Sequence, residues 1–214
     1  MGLFDKVVAG LFGASETVAD RQALADFMDS RAAFLCQKCV VEFCRVRAGV
    51  YWQKLFSEAD FQEKLRQSRW QSYPPAFAMV AEMVEGATRP HAGQRQRRLP
   101  SALESVAAEV FSRYPVPDGA PPAFWDDALV LVRERLQGTQ AGPPRPVKDM
   151  TSPSARMIFE ALPLHKEIVT HDFDYIRNNL RMNLLRFHED FLQAARFDTL
   201  VPSLLGEELQ DRSP

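Results

Sequence analysis

Three cysteines fall within nine residues, Cys36, Cys39 and Cys44, in a C-x2-C-x4-C pattern of soft donors. Converging thiolates hold zinc or an iron–sulfur cluster, and structural zinc takes four ligands. On a single α-helix at 100° per residue, Cys39 and Cys44 point about 140° apart. No second cysteine pair completes a site. The expected state is three reduced thiols packed as small apolar side chains, with no metal and no cofactor. The four histidines offer little more. Glu167 and His171 share a helix face at i,i+4, and His188 adjoins Glu189, but the Glu-x-x-His motif of di-iron bundles does not occur. Two other sets are candidates for contact with a ligand or partner. Arg177 and Arg181, with His188 two turns on, present guanidinium groups at i,i+4 that can clamp an anion or a partner's carboxylate; the competing reading is a solvated face with an Asp174–Arg177 pair. Arg69-Trp70 with Tyr73 forms an aromatic and cationic corner, suited to stacking a ligand or to packing between helices. No G-x-S-x-G elbow, G-x-x-x-x-G-K loop or H-E-x-x-H pair is present. The catalytic residues of an enzyme are therefore not identified, and a non-enzymatic role is expected.

The elements that would position these residues read as helices throughout, because apolar residues recur every three or four positions and nothing alternates with period two. One helix is predicted from Asp20 to Ala48. Ser57 with Asp60 reads as a capping box opening the next helix, which Tyr73-Pro74-Pro75 should end, since the residue before proline disfavours the α region. Helix resumes over 75–87. Arg89–Pro100, with four arginines and no acid, reads as a loop. Further helices are expected at 101–113, at 123–137 capped by Gly138, at 154–161 and at 172–195, with a final turn from Asp198. The fold class is all-α: an irregular bundle of seven or eight helices joined by proline-rich loops, with an amphipathic N-terminal segment at 1–13 and one helical domain over 17–214.

The 214 residues are 46% hydrophobic and 25% charged, with a net charge of −2, so no global basic field points to nucleic acid. No run approaches the 18 or so apolar residues of a membrane span. The absence of a basic stretch followed by a long apolar core, and the odd clustered cysteines, point to a soluble cytoplasmic protein. In MGLFDKVVAGLF, Leu3, Phe4, Val7, Val8, Leu11 and Phe12 share one wide face with Asp5 and Lys6 opposite. This segment resembles short amphibian membrane-active peptides that begin Gly-Leu-Phe-Asp, and the resemblance implies weak attachment to the inner face of the membrane. A terminal helix docked on the bundle is the other reading.

Two further resemblances bear on function. Cys44-Arg45-Val46-Arg47-Ala48-Gly49, Ser68-Arg69-Trp70 and Tyr73-Pro74 are similar to a poorly characterised family of small all-helical bacterial proteins, some labelled esterase, which implies an esterase-like hydrolase. Val41–Phe56 resembles the helix-turn-helix of tetracycline-repressor-type regulators, which implies DNA binding. Against that, Tyr51-Trp52 replace the small turn residues, and residues 1–70 hold 10 Lys/Arg against 9 Asp/Glu, which leaves no basic surface for phosphates. The expectation is a helical binding, adaptor or assembly protein, peripheral at the membrane surface, with another protein as its partner.

Overall fold

A computed structural model describes residues 17–207. The amphipathic segment with Leu3, Phe4, Val7, Val8, Leu11 and Phe12 lies outside them. Among the described residues every regular element is helical, and the one bridge between extended residues joins Val18 to Ala195.

The first rod begins at Asp20, whose carboxylate accepts from the Ala23 N–H at 2.9 Å and so caps α1, Arg21–Cys36. The rod runs on through a π-helical turn, Gln37–Glu42, into α2, Phe43–Ala48, then through a 3₁₀ turn, Gly49–Tyr51, into α3, Trp52–Ser57. α4, Ala59–Ala92, is the central helix; α5 covers Leu99–Phe111, α6 Phe124–Thr139, α7 Ser152–Glu160, α8 Phe173–Ala194 and α9 Phe197–Leu205. α4 packs against α1, α3, α5, α6, α7, α8 and α9. α8 lies antiparallel to the first rod, because ring contacts pair Phe27 with Phe191, Phe34 with Phe187 and Phe43 with Tyr175.

The all-α expectation holds, but helices run through positions expected to break them. Counted as uninterrupted rods of four residues or more, six are found among the described residues (21–57, 59–111, 124–139, 152–160, 173–194 and 197–205) rather than seven or eight. Pro74 and Pro75 sit inside α4. An internal proline costs an isolated helix about 3 kcal/mol, but nearly every residue from Ser72 to Glu85 is buried, so packing on all sides overrides the local preference. Ser154 Oγ donates to the Pro75 carbonyl at 2.7 Å, anchoring this stretch to α7. Arg89–Pro100 is not a loop either. α4 continues to Ala92, a 3₁₀ segment covers Gly93–Arg98, and Arg89 is buried in an ion pair with Glu85. Ser57 caps no helix start: its hydroxyl donates backward to the Lys54 carbonyl at 2.7 Å, and Glu58 holds the N-cap position of α4. α6 passes through Gly138 to Thr139.

One buried polar cluster ties α1, α4 and the end of α5 together. The Asp29 carboxylate accepts from Tyr73 OH at 2.5 Å and from Tyr114 OH at 2.8 Å, while Arg113 lies 3.8 Å away. Burial pushes the Asp29 carboxyl above its ordinary 3.8, against the lowering effect of the two tyrosines and Arg113. An acid whose folded value is raised holds its proton more tightly when folded. Its cost is absent below the unfolded value and grows as pH climbs from 3.8 through the folded value. Asp29→Asn removes that titration. The stability of wild type relative to Asp29→Asn should therefore fall as pH rises through this window and then level off. Thermal melts of both proteins at a series of pH values check this, and a difference independent of pH contradicts it.

Candidate docking surface

The end of the first rod is built to expose apolar side chains. At Gly49 the backbone takes φ +55 and ψ −131, a left-handed region that a side chain resists. That turn lifts Val50 and Tyr51 off the bundle, leaving them 88% and 73% exposed. Val46 precedes the turn and Trp52 follows it, both exposed. Ile168 and Tyr175, from the α7–α8 connection and the start of α8, are also exposed, and both adjoin α2 through Arg47 and Phe43. These six account for more than half of the eleven large apolar side chains exposed among the described residues. Scattered exposed apolar residues are normal on any protein, whereas a gathered set marks an interaction surface.

The corner is held firmly from beneath. Phe43 is buried and its ring lies 5.7 Å from that of Tyr175. Arg47 donates to the Ile168 carbonyl at 2.5 Å through Nη2 and pairs with Asp172 at 3.0 Å. The Arg45 guanidinium sits over the Trp52 ring at 5.7 Å and pairs with Glu42 at 3.3 Å. Trp52 packs edge-on against Phe56, which packs on Phe61 at the start of α4. Residues 43–57 carry Arg45, Arg47 and Lys54 and no acid. The exposed apolar side chains of the corner thus sit among Arg45, Arg47 and Lys54, the first two paired with Glu42 and Asp172. In the sequence its traces are Val-Tyr-Trp directly after a turn glycine and that one-sided charge; nothing there says which of the apolar residues face outward.

The residues singled out from the sequence are dispersed. Tyr73 is fully buried and donates to Asp29. Trp70 is partly buried, edge-on to Tyr114 at 5.5 Å and to Trp125 at 5.8 Å, so the aromatic corner is filled by its own rings. Arg69, one residue before it, acts on the buried Cys36 thiol as a neighbouring positive charge. Arg177 pairs with Asp174 at 3.1 Å on the exposed side of α8, and Arg181 is exposed one turn on. His188 is partly buried, which lowers its pKa. The three cysteines are free and buried. Burial pushes Cys39 and Cys44 up to about 12, far from the thiolate that binds metal or attacks. Cys39 and Cys44 share the core although α geometry would splay them apart: the π turn between them repeats at i→i+5 and brings residues five apart toward one face.

No protein-family model, curated protein or solved structure matches this chain.

Proposed function

We propose that this protein is a helical binding protein that docks peripherally on an anionic membrane surface through the Val46–Trp52 corner. The observation that carries this reading is the run of exposed apolar side chains Val46, Val50, Tyr51 and Trp52, interleaved with Arg45, Arg47 and Lys54. Trp and Tyr favour the headgroup level, where an amphipathic ring is half wet and half dry, and Arg and Lys stems lie along an apolar surface while their charges reach phosphate. No helix among the described residues is long and apolar enough to cross a membrane, so attachment takes the form of shallow insertion. The apolar residues of 2–12, which lie outside the described residues, are proposed from their sequence pattern as a second, weak membrane contact.

Co-sedimentation with vesicles tests this. The full chain should pellet with phosphatidylglycerol-containing vesicles and less with pure phosphatidylcholine, and a Val50→Asp/Tyr51→Asp variant should stay in the supernatant at an unchanged melting temperature. Equal pelleting of the two proteins would remove the corner from the account.

A further inference from the structure

A pocket of about 640 Å³ opens far from the corner, between the second half of α4, the C-terminal half of α6 and the connection that follows α6. Its volume lies in the range of pockets for drug-sized molecules. One side is apolar, formed by Leu131, Pro143, Pro144, Met150 and Pro153. The other carries charge. Glu82 and Glu85 project from α4 and are almost fully buried, Arg89 and Arg135 are nearly so, and Arg145, on the exposed connection, is half-exposed at the mouth.

Counting donors against acceptors shows what this lining lacks. Each guanidinium has five N–H groups, and each carboxylate offers about four lone-pair positions. Glu82 accepts from Arg135 Nε at 2.6 Å and from Arg145 Nε at 2.7 Å, with Arg145 Nη2 in ion-pair contact with the same oxygen. Glu85 accepts from Arg89 through Nε at 2.8 Å and Nη2 at 2.6 Å, and from Gln140 at 2.7 Å. Each oxygen of both carboxylates already accepts at least one of these bonds. The arginines keep donors in reserve. Arg135 adds only Ser154 Oγ at 2.8 Å and the Met150 carbonyl to its Glu82 bond, leaving two N–H groups uncommitted. Arg145 gives one, from Nε to Glu82, and keeps four. Three guanidiniums and three carboxylates line the pocket, so its surplus is of donors rather than of formal charge. Burial also draws the Arg135 guanidinium below its ordinary value despite Glu82, as expected of a cation whose lost hydration is not fully replaced.

We infer that this pocket binds a small amphiphilic carboxylate, its anionic head on the uncommitted N–H groups of Arg145 and Arg135 and its hydrocarbon body against Leu131, Met150 and the prolines. An ammonium would meet three guanidiniums, and the two buried carboxylates already accept from them. A neutral alcohol would gain the apolar wall without the charge-assisted bonds.

Calorimetric titration of the full chain with sodium octanoate, 1-octanol and octylammonium chloride tests this, with the Met150 methyl resonance as a reporter of place. Octanoate should bind saturably and shift the Met150 signal, octanol should bind about tenfold more weakly or less, and octylammonium should not saturate. Arg145→Gln, at an exposed position and so expected to fold normally, should weaken octanoate about tenfold, with Arg145→Lys recovering part of the loss because it keeps the charge. Absence of octanoate binding, equal binding of octanol, or octanoate binding unchanged in Arg145→Gln would each overturn the inference. None of these results depends on vesicle binding by the corner.

Discussion

Arg89→Ala is expected to destabilise the fold by about 3–5 kcal/mol, the usual result of removing one partner of a buried pair. Arg89 and Glu85 are 7% and 1% exposed and joined through two parallel bonds at 2.8 and 2.6 Å. Arg89 also donates to the Thr139 carbonyl at 2.9 Å and the Gly142 carbonyl at 2.8 Å, fastening the start of the 140–151 connection to α4. Without the guanidinium, Glu85 keeps only Gln140 as a partner and two carbonyls lose their donor. Most of the loss is the penalty for a buried, uncompensated carboxylate rather than the worth of the contact. The double variant Glu85→Met/Arg89→Met, which leaves no orphaned charge, should recover much of it. Arg177→Ala breaks an exposed i,i+3 pair with Asp174 and should cost about 1 kcal/mol or less. Urea unfolding measures all three. A cost for Arg89→Ala no larger than that for Arg177→Ala would mean that the Arg89–Glu85 pair is not sealed from water.

How much of this architecture the sequence revealed depended on whether a helix has a wet side. α8 was legible almost to the residue, because Ile176, Leu180, Leu184, Phe187 and Phe191 are buried while Arg177, Arg181 and their neighbours face solvent, and that contrast is what periodicity detects. The middle of α4 has no such contrast. Buried on all sides, it gives no phase to read, so Pro74-Pro75 became the strongest local signal and pointed the wrong way. Arg89 misled for a related reason. A run of arginines suggests solvent, and only its pairing four residues back with Glu85 makes burial tolerable. The cysteines read as core thiols and are buried, but the π turn changes the directions that α geometry gives them. The corner was legible in composition but not in role. Its cations and turn glycine are plain in Val41–Phe56, whereas the exposure of Val50 and Tyr51 follows from how α2 and α3 sit on Tyr175 and Phe61.

The second large effect concerns the corner. Val50→Asp/Tyr51→Asp replaces two protruding apolar side chains with carboxylates. Full burial of such a side chain contributes about 1.5–3 kcal/mol, and shallow insertion recovers only part of that. Losing both contacts and adding two charges that an anionic surface repels should lower vesicle partitioning by about a hundredfold. The tip is already ordered by Arg47, Phe43 and Phe56, so little conformational entropy is lost on binding, in contrast to a terminal segment that orders as it docks. Raising salt should weaken attachment only moderately, because Arg45 and Arg47 are partly neutralised by Glu42 and Asp172 and only Lys54 is left without a nearby acid in the described contacts.

The most direct test uses Trp52. The chain has three tryptophans, and Trp70 and Trp125 pack against the core, so Trp52 is the one that shallow docking would bring to lipid. Wild type and Trp52→Phe are mixed with phosphatidylglycerol vesicles whose acyl chains carry bromine at shallow or deep positions, and tryptophan quenching is recorded. Docking through the corner predicts strong quenching by shallow bromines, weaker quenching by deep ones, and neither in Trp52→Phe. Vesicle-bound wild type whose fluorescence matches that of the free protein at every bromine depth would contradict it, because the Val46–Trp52 corner would then be facing water.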